Sequence, residues 1–139
     1  MVDRVLLSKA RSIKRCLNRV NETYRGHENE LETSYDRQDV IVLNLIRACE
    51  QAIDMANRMT FLRKLEIADD TAKVFVNLGR AGLIPASLAE SIRRMVGFPN
   101  VAVHEDQALD LDKVRHIIEH RLDEVLAFSK AMLQADPDG

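Results

Sequence analysis

The sequence contains no tryptophan, and aromatic residues make up only 4% of its 139 positions. Single strands of nucleic acid are often held by stacking their bases on aromatic rings, so a binder of that design is disfavoured. An excess of positive charge is missing too: 20 Lys and Arg stand against 22 Asp and Glu, for a net charge of -2. Contact with RNA, if it occurs, must come from a local patch. Cysteine is scarce. Cys16 and Cys49 lie inside apolar periodic runs, which reads as two reduced core residues rather than a disulfide or metal framework. No run approaches the ~20 apolar residues that a membrane span needs. The opening Met1-Val2-Asp3-Arg4 has no apolar stretch of signal-peptide form, so the cytoplasm is the expected compartment. Period-two alternation, internal repeats and low-complexity segments are absent as well.

What is present is helical. With 46% hydrophobic and 30% charged residues, the chain has the balance of a soluble globular domain. A chain of this length buries roughly two-thirds of its unfolded surface. Val2, Val5, Ile13, Cys16, Leu17, Val20 and Tyr24 recur at three- and four-residue steps, the stripe of an amphipathic helix. A polar connector over 25–35 follows, and Asp36 is placed to cap the next helix. From Val40 to Met59 apolar residues cover most of the helix circumference, which puts that helix at the centre of the domain. A shorter helix carries Val74, Phe75 and Leu78, and another, after Pro85, carries Leu88, Ile92, Met95 and Val96. Asp110 caps a last helix whose stripe is Leu111, Val114, Ile117, Ile118, Leu122, Val125 and Leu126. The expected fold is an all-α antiparallel bundle of about five helices in one domain over 1–134, with 135–139 a disordered tail.

Two constellations carry possible chemistry. His116-Ile117-Ile118-Glu119-His120 has the H-x-x-E-H spacing that lets two histidines one helical turn apart share a zinc ion. Both histidines lie opposite the apolar stripe, where solvated residues go, and a third ligand is wanting downstream; no metal is expected. The other is Asn100 with His104. On a continuous helix they share one face, with Arg93 on nearly the same stripe. Histidine exchanges protons near neutral pH and arginine grips phosphate with its planar fork. The competing reading is a structural histidine at a helix end.

The run Arg94-Met95-Val96-Gly97-Phe98-Pro99-Asn100-Val101-Ala102-Val103-His104-Glu105-Asp106 closely resembles the signature of HepT-like proteins of the HEPN superfamily. Residues 38–50 and 53–57, with Gly82-Leu83-Ile84 and Leu109-Asp110-Leu111-Asp112, extend the resemblance over nearly the whole chain. It implies a HEPN-type helical homodimer. It also implies a toxin paired with a minimal nucleotidyltransferase antitoxin, MntA, and a metal-independent ribonuclease acting on RNA without a cofactor. The family motif reads Arg, a polar residue, three more residues, His, and Tyr two positions later. The Arg and His of both subunits line a cleft, and the antitoxin silences the toxin by adding AMP to the Tyr.

Carried over position by position, Asn100 is the polar residue and His104 the histidine, whereas Pro99 stands at the arginine position and Asp106 at the tyrosine position. Proline offers no positive charge to phosphoryl oxygens, and removing one such donor commonly costs ~100- to 1000-fold in rate. Arg93 and Arg94 are the nearest replacements in sequence, but along a straight helix Arg93 lies ~16 Å from His104. Asp106 has no phenol to receive AMP, and Tyr24 and Tyr35 are distant in sequence. On the central helix, Arg47, Glu50, Asp54 and Asn57 form a polar arc that either lines the cleft or faces solvent or a second subunit. Two functions stay open: a ribonuclease toxin using His104 and Asn100, or a non-catalytic dimer that docks a nucleotidyltransferase.

Overall fold

The computed structural model describes residues 2–98 and 109–138. Among them six α-helices and one 3-10 turn follow in order: α1 Arg4–Tyr24, the turn Glu28–Glu30, α2 Tyr35–Leu62, α3 Thr71–Arg80, α4 Ala86–Met95, α5 Leu111–His120 and α6 Leu122–Gln134. No strand is found in the described residues. The extra helix relative to expectation arises at Arg121, where the last helical stretch breaks.

The two long helices α1 and α2 form the spine; α6 packs on both, α3 on α2, α4 against α3 and α6, and α5 against α6. In α1 the buried stripe is Leu6, Ile13, Cys16, Leu17, Val20 and Tyr24. Val2 and Val5, read from spacing as part of it, are exposed. Two helical turns back from Ile13 fall on Leu6, which takes the inner place. In α2 the fully enclosed residues Ile41, Leu45, Ala48, Ala52, Met55 and Met59 meet α1 and α6 across small side chains. Phe75 of α3 tilts against Phe128 of α6, ring centroids 5.4 Å apart. After Arg121 the inner positions run Leu122, Val125, Phe128, Ser129 and Met132, so Leu126 is turned outward, contrary to its expected place in the stripe.

Local signals set the helix ends. Asp3, Ser34, Asp70 and Asp110 each accept a backbone N–H of the first turn, satisfying donors with no partner inside the helix. Ser34 therefore caps α2, and the expected cap Asp36 sits within the first turn instead. Gly82, at φ 77°, closes α3 with Leu83 N–H donating to Leu78 O at 3.1 Å. The close approach of α3 and α4 leaves little room at Gly79, where a Cβ would stand 3.1 Å from Ala89 Cβ.

Two polar clasps join distant parts of the chain. Arg115 of α5 donates to the Tyr24 hydroxyl at 2.9 Å and to Glu28 O at 3.1 Å, and pairs with Glu32; the Tyr24 hydroxyl donates to Glu119. This ties the polar connector after α1 to α5. Burial, then the Glu119 carboxylate, raises the Tyr24 pKa above its ordinary value. At the chain ends, Asp136 is buried and accepts Asp3 N–H at 2.7 Å, while Arg63 donates to Ala135 O at 2.7 Å. Within the expected disordered tail, Ala135 and Asp136 are thus docked: the Asp136 carboxylate meets the N–H of the cap residue Asp3, and the Ala135 carbonyl meets Arg63 just beyond α2.

Candidate functional site

The signature segment begins where α4 ends. Glu90 lies three and four residues before Arg93 and Arg94, so all three project from one face of α4. Arg93 grips Glu90 with two bonds, Nη2 to Oε1 at 2.6 Å and Nε to Oε2 at 2.9 Å, and Arg94 Nε adds a third at 3.0 Å. The hydrogen bonds from Arg93, then Arg94, hold the Glu90 pKa at about 2. Both arginines proposed as phosphate holders are thus already bound to a carboxylate.

The exit of α4 is seated on the middle of α2. Met95 O accepts Cys49 Sγ–H at 3.4 Å, and Phe98 is buried at the start of the following segment. Burial, with a smaller effect of Glu50, pushes the Cys49 thiol up to about 12, so it stays protonated and able to donate. Pro99, Asn100, His104 and Asp106 lie outside the described residues, as does the expected helical continuity from Phe98 to His104.

Beside this exit, between α4 and α5, is a hollow of about 160 Å³. Met95, Phe98 and Ile117 contribute apolar walls, and Ser91, Arg94, Lys113, His116 and Arg121 contribute polar ones. Reading the sequence missed this grouping. His116, a zinc-ligand candidate by its spacing to His120, stands one turn after Lys113 on α5 and lines this hollow. His116 and His120 are exposed, with ring centroids 4.9 Å apart, and Glu119 between them is engaged by Tyr24. Among the described residues no group of three or more His, Cys, Asp or Glu could hold a metal ion.

The polar arc of α2 divides. Asp54 pairs with Lys9 of α1 at 3.0 Å. Arg47 faces a groove against α1, together with Arg11, Lys14 and Arg15. Glu50 is exposed, one residue from the Cys49 contact with α4. Glu50 is therefore the member of the arc nearest in sequence to that contact, whereas Arg47 and Asp54 serve the α1 side.

Comparison with known proteins decides the family. The profile of the Ribonuclease HepT-like family matches residues 13–132. This chain belongs to that family. The mRNA nuclease HepT of Shewanella oneidensis is 35% identical over 124 residues, spanning 89% of this chain and 92% of that protein. Among solved structures, the tri-AMPylated Shewanella oneidensis HEPN toxin in complex with its MNT antitoxin superposes with a TM-score of 0.88 at 33% identity. That match covers 94% of this chain and 97% of the toxin. A toxin–antitoxin crystallised with AMP-PNP gives the same TM-score and identity over 94% of this chain and 98% of the other. The all-helical HEPN fold is that of the HepT-like family. No helix among the described residues is long and apolar enough to cross a membrane.

Proposed function

We propose that this chain is the toxin of a toxin–antitoxin pair and acts as a ribonuclease whose partner is an MNT-type nucleotidyltransferase. The observation that carries this reading is the near end-to-end likeness to the mRNA nuclease HepT, at 35% identity, together with Asn100 and His104 at the polar and histidine positions of the signature. The 2′-hydroxyl attacks the adjacent phosphorus, the bond from phosphorus to the 5′-oxygen breaks, and a 2′,3′-cyclic phosphate and a 5′-hydroxyl result. His104 takes the proton of the 2′-hydroxyl and returns a proton to the departing 5′-oxygen, while Asn100 positions the phosphate or the imidazole. The chain works as a homodimer in the cytoplasm, so that each subunit can supply charge to the other's signature.

Pro99 lowers the rate of this reaction by removing a positive donor from the phosphoryl oxygens. Asp106 changes the off-switch. A carboxylate there cannot receive AMP as a phenol does, so the antitoxin silences this chain by contact alone. The second reading, a non-catalytic dimer that docks the nucleotidyltransferase, draws support from Arg93 and Arg94 being tied to Glu90. Incubating purified protein with total tRNA and with mRNA separates the two readings. The toxin reading expects cleavage by the native chain and none by His104→Ala; equal absence of cleavage in both leaves the docking module. Light scattering at micromolar concentration is expected to give the mass of two chains, and a strictly monomeric mass overturns the dimer.

A further inference from the structure

The mild negative charge of the whole chain hides a positive side. Arg11, Lys14, Arg15 and Arg19 of α1 and Arg47 of α2 line one open groove of about 690 Å³, and Glu22 is its one acidic lining residue. A second hollow shares Arg11 and Arg15 and runs on to Arg4. The charges follow from helical spacing. Arg4, Arg11, Arg15 and Arg19 step by seven, four and four residues along one face of α1, opposite its buried stripe. They span ~22 Å at 1.5 Å per residue.

Most arginines outside this face have an acceptor partner, with Arg80 an exception among the described residues. Arg58 is held by Asp3, Arg93 and Arg94 by Glu90, Arg115 by Glu32 and Arg121 by Glu124. In the groove only Arg19 has an acidic neighbour, Glu22 at 3.8 Å. Arg4, Arg11, Lys14, Arg15 and Arg47 have no ion pair or hydrogen-bond partner among the described residues. Clustered like charges repel, so the fold gains nothing by keeping them together; a polyanion neutralises them. No aromatic ring lines the groove, so it offers charge without a stacking platform.

We infer that the groove between α1 and α2 holds the phosphate backbone of RNA. Among the described residues it shares no lining residue with the hollow beside the α4 exit and contains none of the signature, so the role assigned to it is affinity. The inference rests on the RNA-directed reading above and adds where the substrate is held.

The test uses the full chain and a labelled 2′-O-methyl oligouridylate, which lacks the attacking hydroxyl and cannot be cleaved by that route. Fluorescence anisotropy is expected to show at least ~10-fold weaker binding for R11E/R15E, and a salt slope shallower by about 1.4 for two lost phosphate contacts. R11K/R15K should bind as the native chain does. R80E, at an arginine outside the groove with no ion pair among the described residues, should change nothing, and circular dichroism melts should be alike. Unchanged affinity in R11E/R15E, or equal loss in R80E, overturns the inference. So does a dimer that R11E/R15E converts to monomer, or loss of nucleotidyltransferase binding with RNA binding intact, since the face then serves a protein partner. Cleavage measured in parallel separates the two levels. Native cleavage with KM unmoved by R11E/R15E removes the groove and leaves the ribonuclease; native binding through the groove without cleavage supports the groove and removes the ribonuclease.

Discussion

The arginines at the end of α4 and those along α1 differ in what surrounds them. Arg93 and Arg94 share Glu90, set three and four residues back on the same helix, so one acid offsets one of their two charges. Arg11 and Arg15 have no acid at such spacings and no partner from neighbouring helices among the described residues. Charge at the end of α4 is therefore partly offset locally, while Arg11 and Arg15 have no such acid among the described residues.

The largest change should come from restoring a free guanidinium at the signature. Pro99→Arg is expected to raise the RNA cleavage rate ~100- to 1000-fold, measured as single-turnover kcat. No gain would mean that the missing charge is already supplied from elsewhere, and the contrast between the two arginine sets would lose its functional meaning.

A smaller effect is expected where pairing is structural. Arg58 holds the largely enclosed Asp3 carboxylate, Nη2 to Oδ2 at 2.7 Å, and Asp3 also caps α1 through Leu6 N–H. Asp3→Ala should cost about 0.5–2 kcal/mol through the cap alone, read by urea unfolding. Hydrogen bonding to Arg58 lowers the Asp3 pKa. Its contribution to stability is therefore present above the unfolded carboxylate value and is lost as pH falls through the lowered folded value. If Asp3→Ala matches the native chain at pH 7, neither the cap nor the Arg58 pair stabilises the fold.

Glu90→Gln should have the smallest effect. The pair is exposed, so melting should hardly shift, but freeing Arg93 and Arg94 should tighten RNA binding by less than about fivefold. Because the Glu90 pKa lies at about 2, its charge should persist on acidification well below the ordinary 4.5 and be lost only as pH approaches 2. Followed by NMR of the side-chain carboxyl, titration near 4.5 would show that the arginines do not hold Glu90 in solution.

Much of the fold was legible because helices announce themselves through period and caps. Asp110 begins a helix, and Val74, Phe75 and Leu78 are buried as their spacing requires. Errors fell where period alone decides between neighbours: Leu6 rather than Val5, and Phe128 rather than Leu126. The docked Asp136 was invisible because its partner, the Asp3 N–H, lies 133 residues away. The family was legible from the signature. The grouping of Ser91, Lys113, His116 and Arg121 was not, since it depends on how α5 returns beside α4. The groove was hidden for the opposite reason: its charges were plain on α1, but a net charge of -2 averaged them away.

The most direct test of the central claim is the chemistry of the cut ends. Purified protein and RNA are incubated in EDTA, and the fragments are analysed by mass spectrometry for the native chain and His104→Ala. The account predicts 2′,3′-cyclic phosphate and 5′-hydroxyl ends from the native chain and intact RNA from His104→Ala. Ends bearing 5′-phosphate and 3′-hydroxyl, cleavage abolished by EDTA, or equal cleavage by both chains would contradict it.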